Sequence, residues 1–277
     1  MQSKLGHVRI AVHSVSAVLR CCLLLLTLTV AQLTAAAEAI KRTSDGHPDF
    51  DGIWQVLSPA VWNLEDHTAE AGVPAGYGVV VGGTIPYKDT ALAQRQENHQ
   101  RRLLDDPESK CFMVGVPRIT YMPYPFQIVQ TNSQMILLYE YVHTTRIVYL
   151  GGTKHPPADV ELWMGDSRGH WERDTLVVDV TTFTGNTWLD RSGNYHSSSL
   201  HVVERYTPDG PNHIRYQATI EDPEVFTRPW KVNLVLYRRI EPGLQVLEYE
   251  CYAYQLLNSA AGQPAVGLGA AAREINQ

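Results

Sequence analysis

The sequence lacks the motifs that identify several large protein classes. Only 4 of its 277 residues are cysteine, and no two of them form a C-x-x-C pair, so a thiolate zinc site is not predicted. The G-x-G-x-x-G, P-loop and G-x-S-x-G patterns are also missing, which argues against nucleotide cofactors and against a serine nucleophile on an elbow. No internal repeat recurs at a fixed period. We therefore expect no cofactor.

The histidines lack metal-binding spacing. The chain has 11 histidines, but no pair follows the H-x-x-x-H or H-x-H spacing that brings two imidazoles together by local geometry. The candidates for supplying imidazoles are His155, His170, His196 and His201. His196 and His201 are five residues apart, which places them on opposite faces of a strand. We expect no metal ion.

An excess of positive charge is missing as well. The formal net charge is −6 at pH 7, and it becomes more negative if the basic N-terminal leader is removed. A negative protein is repelled by phosphate backbones and by anionic membrane surfaces. The charge therefore argues against nucleic acid as a partner.

The N-terminal 39 residues resemble a secretory signal peptide. An uncharged apolar run, Cys21–Val30, follows a positively charged start and precedes small residues of the A-x-A type. We expect cleavage near Ala37 or Ala39 and a periplasmic or secreted protein. The run is too short for a comfortable membrane span, so no span is expected in the mature chain.

Two cysteines remain after the leader, Cys111 and Cys251. In an oxidising compartment we expect them to form a disulfide, worth roughly 4–5 kcal/mol in the chain-entropy model because the closed loop is long. The alternative is a pair of buried free thiols.

The region 40–259 is predicted to form a single β domain, and the Ala/Gly-rich stretch 260–277 a flexible tail. One helix is predicted, Asp89–Leu104, with Asp89 or Thr90 as its N-cap. Its weakly apolar face, which places it on the surface, carries Leu92, Gln96, His99 and Leu103.

From Tyr121 onward, apolar β-like runs alternate with turn signals. The runs are PFQIVQT, QMILLYEYV, TRIVYLGG, WMGDSRGHWE, TLVVDVTTF, LHVVERYT, HIRYQATI, KVNLVLYRRI and LQVLEYECYAY. The short gaps favour antiparallel hairpins, because a parallel sheet needs long crossovers. A sheet of about ten such strands has two unpaired edge strands, and closing the sheet into a barrel pairs them. We predict an all-β, antiparallel, lipocalin-like up-and-down barrel, with a β-sandwich as the alternative.

The first predicted strand contains Gly52-Ile53-Trp54, which resembles the G-x-W that opens lipocalin-like barrels. The resemblance implies that Trp54 closes one end of the barrel against a basic residue from a late strand. Three residues are candidates for that role: Arg228, Arg238 and Arg239.

Further sequence motifs occur in a fixed order along the chain, among them DGHPDFDGIWQ, GVPRI, WMGDSRGHWERDTLVVDVTTF, TWLD, HSSSLHVVERY and EDPEVFTRPW. This set resembles a family of exported bacterial β-proteins of unassigned function, and the resemblance implies a single secreted β domain without supplying a reaction. The chain departs from the family at Arg173, where glycine is usual, and at the Gly/Pro-rich segment Ala71–Pro86.

The loop Thr187–His201 carries more titratable and hydrogen-bonding groups than a turn needs. Loops are frequent sites of function, and a carboxylate with a histidine is a simple acid/base pair. We nominate His196 and Asp190 as catalytic residues, with Asp166 and His170 as a second pair. The alternative is that Asp190 caps its own turn and that His196 only bonds to that turn.

Substrate contacts are predicted around the same loop and at the barrel rim, from Tyr195, Arg191, Trp188, His201, Tyr124 and Phe126. An aromatic-lined barrel mouth suits a small, largely hydrophobic molecule. The first hypothesis is a cofactor-independent isomerase, cyclase or lyase. The alternatives are a non-catalytic binder or carrier of such a molecule, and an envelope-assembly protein if no interior site exists.

Overall fold

The structure is a computed structural model that describes residues 39–71, 73–157 and 159–260. Nearly all of the predicted signal peptide and of the predicted tail lies outside the described residues. A compact unit begins at Ile40.

Nine strands form a closed barrel in which each strand pairs with its neighbours along the chain and β1 pairs with β9. Their bounds are β1 Gly52–Val56, β2 Phe126–Gln130, β3 Gln134–Tyr139, β4 Thr145–Tyr149, β5 Asp166–Glu172, β6 Thr175–Thr181, β7 His201–Pro208, β8 His213–Glu221 and β9 Trp230–Arg239. The prediction of an all-β barrel is confirmed, and the sandwich alternative is wrong because no sheet edge is left open.

One strand pair departs from the antiparallel expectation. β4 and β5 are parallel, with Val148 opposite Ser167 and Tyr149 opposite Arg168. The connection between Tyr149 and Asp166 is long enough to carry the chain back to the same end of the barrel, as a parallel pair requires. The other eight strand pairs are antiparallel.

Alternation along the strands fills the barrel interior. In β8 every second residue, Ile214, Tyr216, Ala218 and Ile220, is buried, and β9 alternates in the same way. Burying each large apolar side chain contributes about 1.5–3 kcal/mol. The same alternation places the charged side chains of Arg146 and Glu204 inside the barrel.

Trp54 is buried on β1, and of the three candidate arginines it is Arg238 that packs against it. The Arg238 guanidinium carbon lies 4.3 Å from the centre of the Trp54 ring, and the two residues are register partners between β1 and β9. A Cβ atom on Gly52 would come within 2.5 Å of the Arg238 Nη1, and Gly52 has a φ of 134°, which strains any residue other than glycine.

Helix α1 spans Asp89–Asp105, which confirms the predicted helix. Its N-cap is Lys88 and not Asp89 or Thr90, and no side chain caps it. The predicted apolar face is also wrong, because Leu92 and Leu103 are exposed and the helix buries Ala91 and Asn98. Contacts with the loop after β6 select that face.

The last predicted strand, LQVLEYECYAY, is wrong. Residues 244–250 join no strand, and helix α2 spans Cys251–Ala260. The β1–β9 pairing closes the barrel before this segment is reached, so no edge is available for it.

The predicted disulfide is confirmed between Cys111 and Cys251, whose Cα atoms are 5.5 Å apart. It ties the start of α2 to the turn that follows α1. Neither helix in the described part of the chain is both long and apolar enough to cross a membrane.

Candidate functional site

Asp190 organises the loop between β6 and β7. Its Oδ1 accepts hydrogen bonds from the backbone N–H groups of Ser192 (2.9 Å) and Asn194 (3.2 Å). Its Oδ2 accepts from the Leu64 N–H (2.9 Å) and from the Asn194 side chain (2.6 Å). Complete burial raises the pKa of Asp190 to about 6, although these donors oppose the shift. The carboxylate is thus used to close the loop and to anchor the segment around Leu64.

His196 is buried in the same loop but has other partners. Its Nδ1 donates to the Ser197 carbonyl (2.7 Å), so the neutral ring accepts at Nε2 from the Thr187 hydroxyl (2.7 Å). Burial lowers the pKa of His196, which keeps the ring uncharged at neutral pH. No hydrogen bond or ion pair joins His196 to Asp190 within the described residues, so the two nominated catalytic groups are not brought together as a pair.

The remaining nominated loop residues dock the loop on its surroundings. Arg191 forms two bonds to buried Glu108 (2.7 and 2.5 Å) and stacks on Trp62 at 4.2 Å. Tyr195 donates to a backbone carbonyl of α1, and Trp188 forms an isolated bridge with Tyr195. The loop lies so close to α1 that a Cβ atom on Gly193 would come within 2.7 Å of the backbone nitrogen of His99.

Glu108 joins Arg191 to a second arginine. Arg118 contacts Glu108 at 2.5 Å and Asp106 at 2.8 Å, and all of these groups are buried. Although burial raises it, the two arginines bring the pKa of Glu108 below its ordinary value. The group therefore stays ionised and joins the loop to the turn after α1.

The two rim aromatics are separated from each other. Phe126 points into the barrel against Tyr139, with ring centres 5.0 Å apart. Tyr124 is half-buried and packs with tilted rings against Tyr249 and Tyr141, with ring centres 4.8 and 5.7 Å apart.

Asp166, His170 and His201 lie on the outer wall of the barrel. Asp166 bonds to Arg168 and to His155, whereas His170 faces Glu172 in an exposed position. The second nominated pair is therefore not formed either. His201 lies 3.0 Å from Asp179 on the neighbouring strand.

The interior of the barrel contains a polar cluster that the sequence analysis did not nominate. Arg146 on β4 forms an ion pair with Glu204 on β7, and both side chains are almost completely buried. Glu204 Oε1 also accepts from the hydroxyls of Tyr206 (3.0 Å) and Tyr216 (2.7 Å). The Arg146 Nε donates to the Ser167 hydroxyl at 2.9 Å.

The electrostatics of this interior cluster keep its tyrosines protonated. Burial and the Glu204 charge raise the pKa values of Tyr206 and Tyr216 well above the ordinary range. Burial lowers the pKa of Arg146, but Glu204 outweighs this and raises it well above its usual value. The cluster is therefore one carboxylate held by an arginine and by two neutral phenols.

Two buried hydroxyls next to this cluster are unsatisfied. The Tyr139 Oη and Thr120 Oγ1 atoms have no hydrogen-bond partner in the described chain. Burial raises the pKa of Tyr139, and the positive charge of Arg146 opposes the shift. The Thr120 hydroxyl lies within reach of the Tyr139 and Tyr206 hydroxyls, and Tyr139 lies within reach of the Arg146 guanidinium, but none of these approaches has the geometry of a hydrogen bond. Such orphaned groups are rare in protein interiors.

The strand pattern contained a signal for this cluster. Glu204 falls between Val202 and Tyr206 in the inward phase of β7, and Arg146 shares the inward phase of β4 with Val148. A charged residue at an inward position marks either a functional site or a buried ion pair.

A different group of metal-ligating side chains lies on the surface. Ligand atoms of His143, Glu248 and Glu250 lie within 4.8 Å of one another, and all three residues are exposed. Exposed acidic groups are common without a metal, and this group carries no functional inference by itself.

No protein-family model matches the chain, and no curated protein matches its sequence. The function is therefore inferred from the geometry of the sites.

Proposed function

We propose that the protein binds a small, largely apolar molecule inside the barrel and moves a proton on it with Glu204 as the base. The single observation that carries this proposal is the buried Arg146–Glu204 cluster with two unsatisfied hydroxyls, Tyr139 and Thr120, beside it. The reaction class is that expected from the sequence, a cofactor-independent isomerase, cyclase or lyase, but the residues are different.

A buried ion pair is weak support for stability, because apolar residues of similar volume often stabilise a core as well or better. An otherwise apolar barrel gains little from burying Arg146 and Glu204 for structure alone. Ionisable groups held in a dry interior with a defined set of donors are typical of functional sites. This contrast favours a ligand or a reaction at the cluster.

The contacts suggest a role for each residue. Among the described residues, Glu204 Oε2 accepts only from Arg146, which leaves a lone pair for a substrate proton. Oε1 is occupied by Arg146 and by the hydroxyls of Tyr206 and Tyr216. The hydroxyls of Tyr139 and Thr120 make no well-aligned hydrogen bond among the described residues, and each can donate to a carbonyl oxygen.

The proposed step is proton abstraction next to a carbonyl. Glu204 takes the proton, the C–H electron pair moves into the carbonyl to form an enolate, and Tyr139 and Thr120 stabilise its oxygen. Return of the proton to another carbon gives an isomer. Departure of a leaving group from the β carbon completes an elimination.

A second candidate function is non-catalytic binding or transport of the same class of ligand. The three donors on Glu204 Oε1 favour it, because hydrogen bonds that already occupy this oxygen leave it no free position for a substrate proton.

The test combines native mass spectrometry with proton exchange. Native spectra of the purified protein report a co-purified small molecule, and NMR in D₂O reports exchange of α-protons in a panel of cyclic ketones. We expect a bound molecule and exchange that Glu204→Gln abolishes but Glu97→Gln, on the exposed face of α1, does not. A bound molecule without exchange supports the carrier function. Exchange that survives Glu204→Gln contradicts the assigned base.

We further propose that the protein functions outside the cytoplasm and belongs with the exported β-proteins that its sequence resembles. The Cys111–Cys251 disulfide supports this, because such bonds persist mainly in oxidising compartments. Intact-mass measurement of the protein from a periplasmic extract tests the proposal. A mature N-terminus after Ala37 or Ala39 is expected, and retention of the full leader contradicts it.

A further inference from the structure

A groove opens on the outer wall of the barrel where β1 separates from β9. The last pair of these two strands is Val56 with Leu236, and the chain next pairs with β9 at Val80, which bridges to Val232. Residues 233–235 of β9, between these two contacts, line the groove. Its volume is about 630 Å³, which falls within the ~300–1,000 Å³ range of small-molecule sites.

The groove is positively charged. Its floor consists of two rows of outward side chains, each with one residue from β7, β8 and β9: Arg205, Gln217 and Asn233 in one row, and Thr207, Arg215 and Val235 in the other. The two arginines are therefore diagonal neighbours on one face of the sheet. No described residue that lines the groove is an aspartate or a glutamate, although the whole chain has a net charge of −6.

The two arginines differ in how far their charges are neutralised. Arg205 donates to Glu172, outside the groove, at 2.8 Å. Arg215 lies 4.0 Å from Asp209, and both of these side chains are more than half exposed. Because an exposed ion pair of this length contributes little, Arg215 is available to a ligand. The groove therefore offers one weakly balanced positive charge, which suits a ligand with a single negative charge.

We propose that this groove binds a small organic carboxylate, with its carboxyl group on Arg215 and its apolar part along Leu57 and Val235. A guanidinium and a carboxylate are both planar and can form two parallel hydrogen bonds. Leu57 and Val235 both line the groove and are 79% and 51% exposed. Covering their apolar surface on binding stabilises the complex.

The two amides of the floor add hydrogen-bond donors. Gln217 Nε2 donates to Asn233 Oδ1 at 2.9 Å, which leaves the amide N–H groups of Asn233 for a ligand oxygen. Donors next to a positive charge favour an anion over a cation.

The groove and the Glu204 cluster lie on opposite faces of β8. Tyr216, between Arg215 and Gln217, donates its hydroxyl to Glu204 inside the barrel, whereas its two neighbours point outwards. The groove therefore stands independently of the proposed function.

The test is a titration of the ¹⁵N-labelled full chain with hexanoate, followed by NMR of the backbone amides. Hexanoate should shift the signals of Arg215, Gln217 and Val235 with a Kd of about 1 mM or lower. Hexanamide, which has the same size without the charge, should bind at least about tenfold more weakly. Absence of these shifts at about 10 mM hexanoate overturns the proposal. Inorganic phosphate that binds as tightly as hexanoate shows a general anion site and overturns it as well.

Variants assign the contacts. Arg215→Gln should weaken hexanoate binding about tenfold or more. Lys231→Gln removes one positive charge from an exposed position of β9 that does not line the groove, and it should leave the Kd unchanged. Leu57→Ser should bring the affinity for hexanoate closer to that for acetate.

Two further outcomes contradict the assignment. Equal losses in Arg215→Gln and Lys231→Gln mean that general charge attraction holds the ligand, which overturns the proposal. Hexanoate that shifts the signals of Glu204 and Tyr206 instead of the groove signals belongs to the interior site, and this also overturns the proposal. The amide spectrum of each variant reports whether it is folded.

Discussion

At the scale of single residues, the β5–β6 turn contains a residue under backbone strain. Arg173 is exposed and has a φ of 57°, in the left-handed region that favours glycine. The resembled family has glycine at this position, which fits the backbone conformation.

We predict that Arg173→Gly stabilises the protein. Relief of the left-handed conformation exceeds the added entropy of the unfolded chain, and we expect a net gain of about 0.5–1 kcal/mol in the free energy of unfolding. Urea denaturation measures the difference. Arg173→Ala removes the same side chain but keeps the Cβ atom, so it should give no comparable gain, and equal gains for both variants would refute the strain argument.

His196 predicts a pH dependence of stability. Burial lowers its pKa in the folded state below the unfolded value near 6.5. As pH falls through that range the unfolded chain takes up a proton that the folded chain does not, so His196 contributes stability above about pH 6.5 that is lost on acidification.

The His196→Gln variant should therefore lose less stability than the wild-type protein between about pH 7 and pH 5. Urea titrations at the two pH values measure this, and His213→Gln, at an exposed position of β8, is the matched control. Asp190, whose pKa is raised to about 6, adds a slope of opposite sign, but it is present in every protein compared and cancels. An unchanged slope in His196→Gln would contradict the prediction.

Residue identity alone predicted the candidate site poorly. Asp190 and His196 carry the expected chemical groups, but their hydrogen bonds hold the loop together and join it to Leu64. Only three-dimensional contacts reveal this. Glu204 was detectable in principle, because strand alternation places it on the inward face.

At the scale of elements, α1 begins without a side-chain cap. Its N-cap residue Lys88 has extended backbone angles (φ −72°, ψ 147°) and makes no capping hydrogen bond. Asparagine has the side-chain acceptor that this geometry requires. The Lys88 ammonium does bond to the Pro223 carbonyl, so its removal needs a control.

We predict that Lys88→Asn raises the free energy of unfolding by about 0.5–1 kcal/mol relative to Lys88→Ala. The comparison with alanine isolates the cap, because both variants lose the bond to Pro223. Thermal and urea unfolding measure it. Equal stability of the two variants would show that the start of the helix is already satisfied.

The strands were predictable because period-2 alternation depends on local sequence. α2 was not, since whether residues 244–260 join the sheet depends on closure between β1 and β9, which are far apart in the chain. The face of α1 was mispredicted for a related reason. Its buried side chains, including Asn98, are chosen by polar contacts to the β6–β7 loop and not by hydrophobicity.

At the scale of the whole molecule, two polar assemblies join distant parts of the chain. The β6–β7 loop bonds to the segment around Leu64, to α1 and to the turn at Glu108. The second assembly is the Arg146–Glu204 pair, which connects β4 to β7 inside the barrel. The contacts of the β6–β7 loop explain it as a structural junction. The buried Arg146–Glu204 pair has no comparable structural explanation.

This difference leads to a prediction about the stability of the barrel. Removing one partner, in Arg146→Met or Glu204→Leu, leaves an uncompensated buried charge and should destabilise the protein by about 3–5 kcal/mol. The double variant removes both charges and should recover most of that loss. Urea denaturation of the four proteins, read as a double-mutant cycle, gives the coupling energy. Recovery in the double variant means that the barrel does not need the pair to fold, as expected for a pair retained for function. Additive losses would instead assign the pair a structural role and would weaken the proposed interior site.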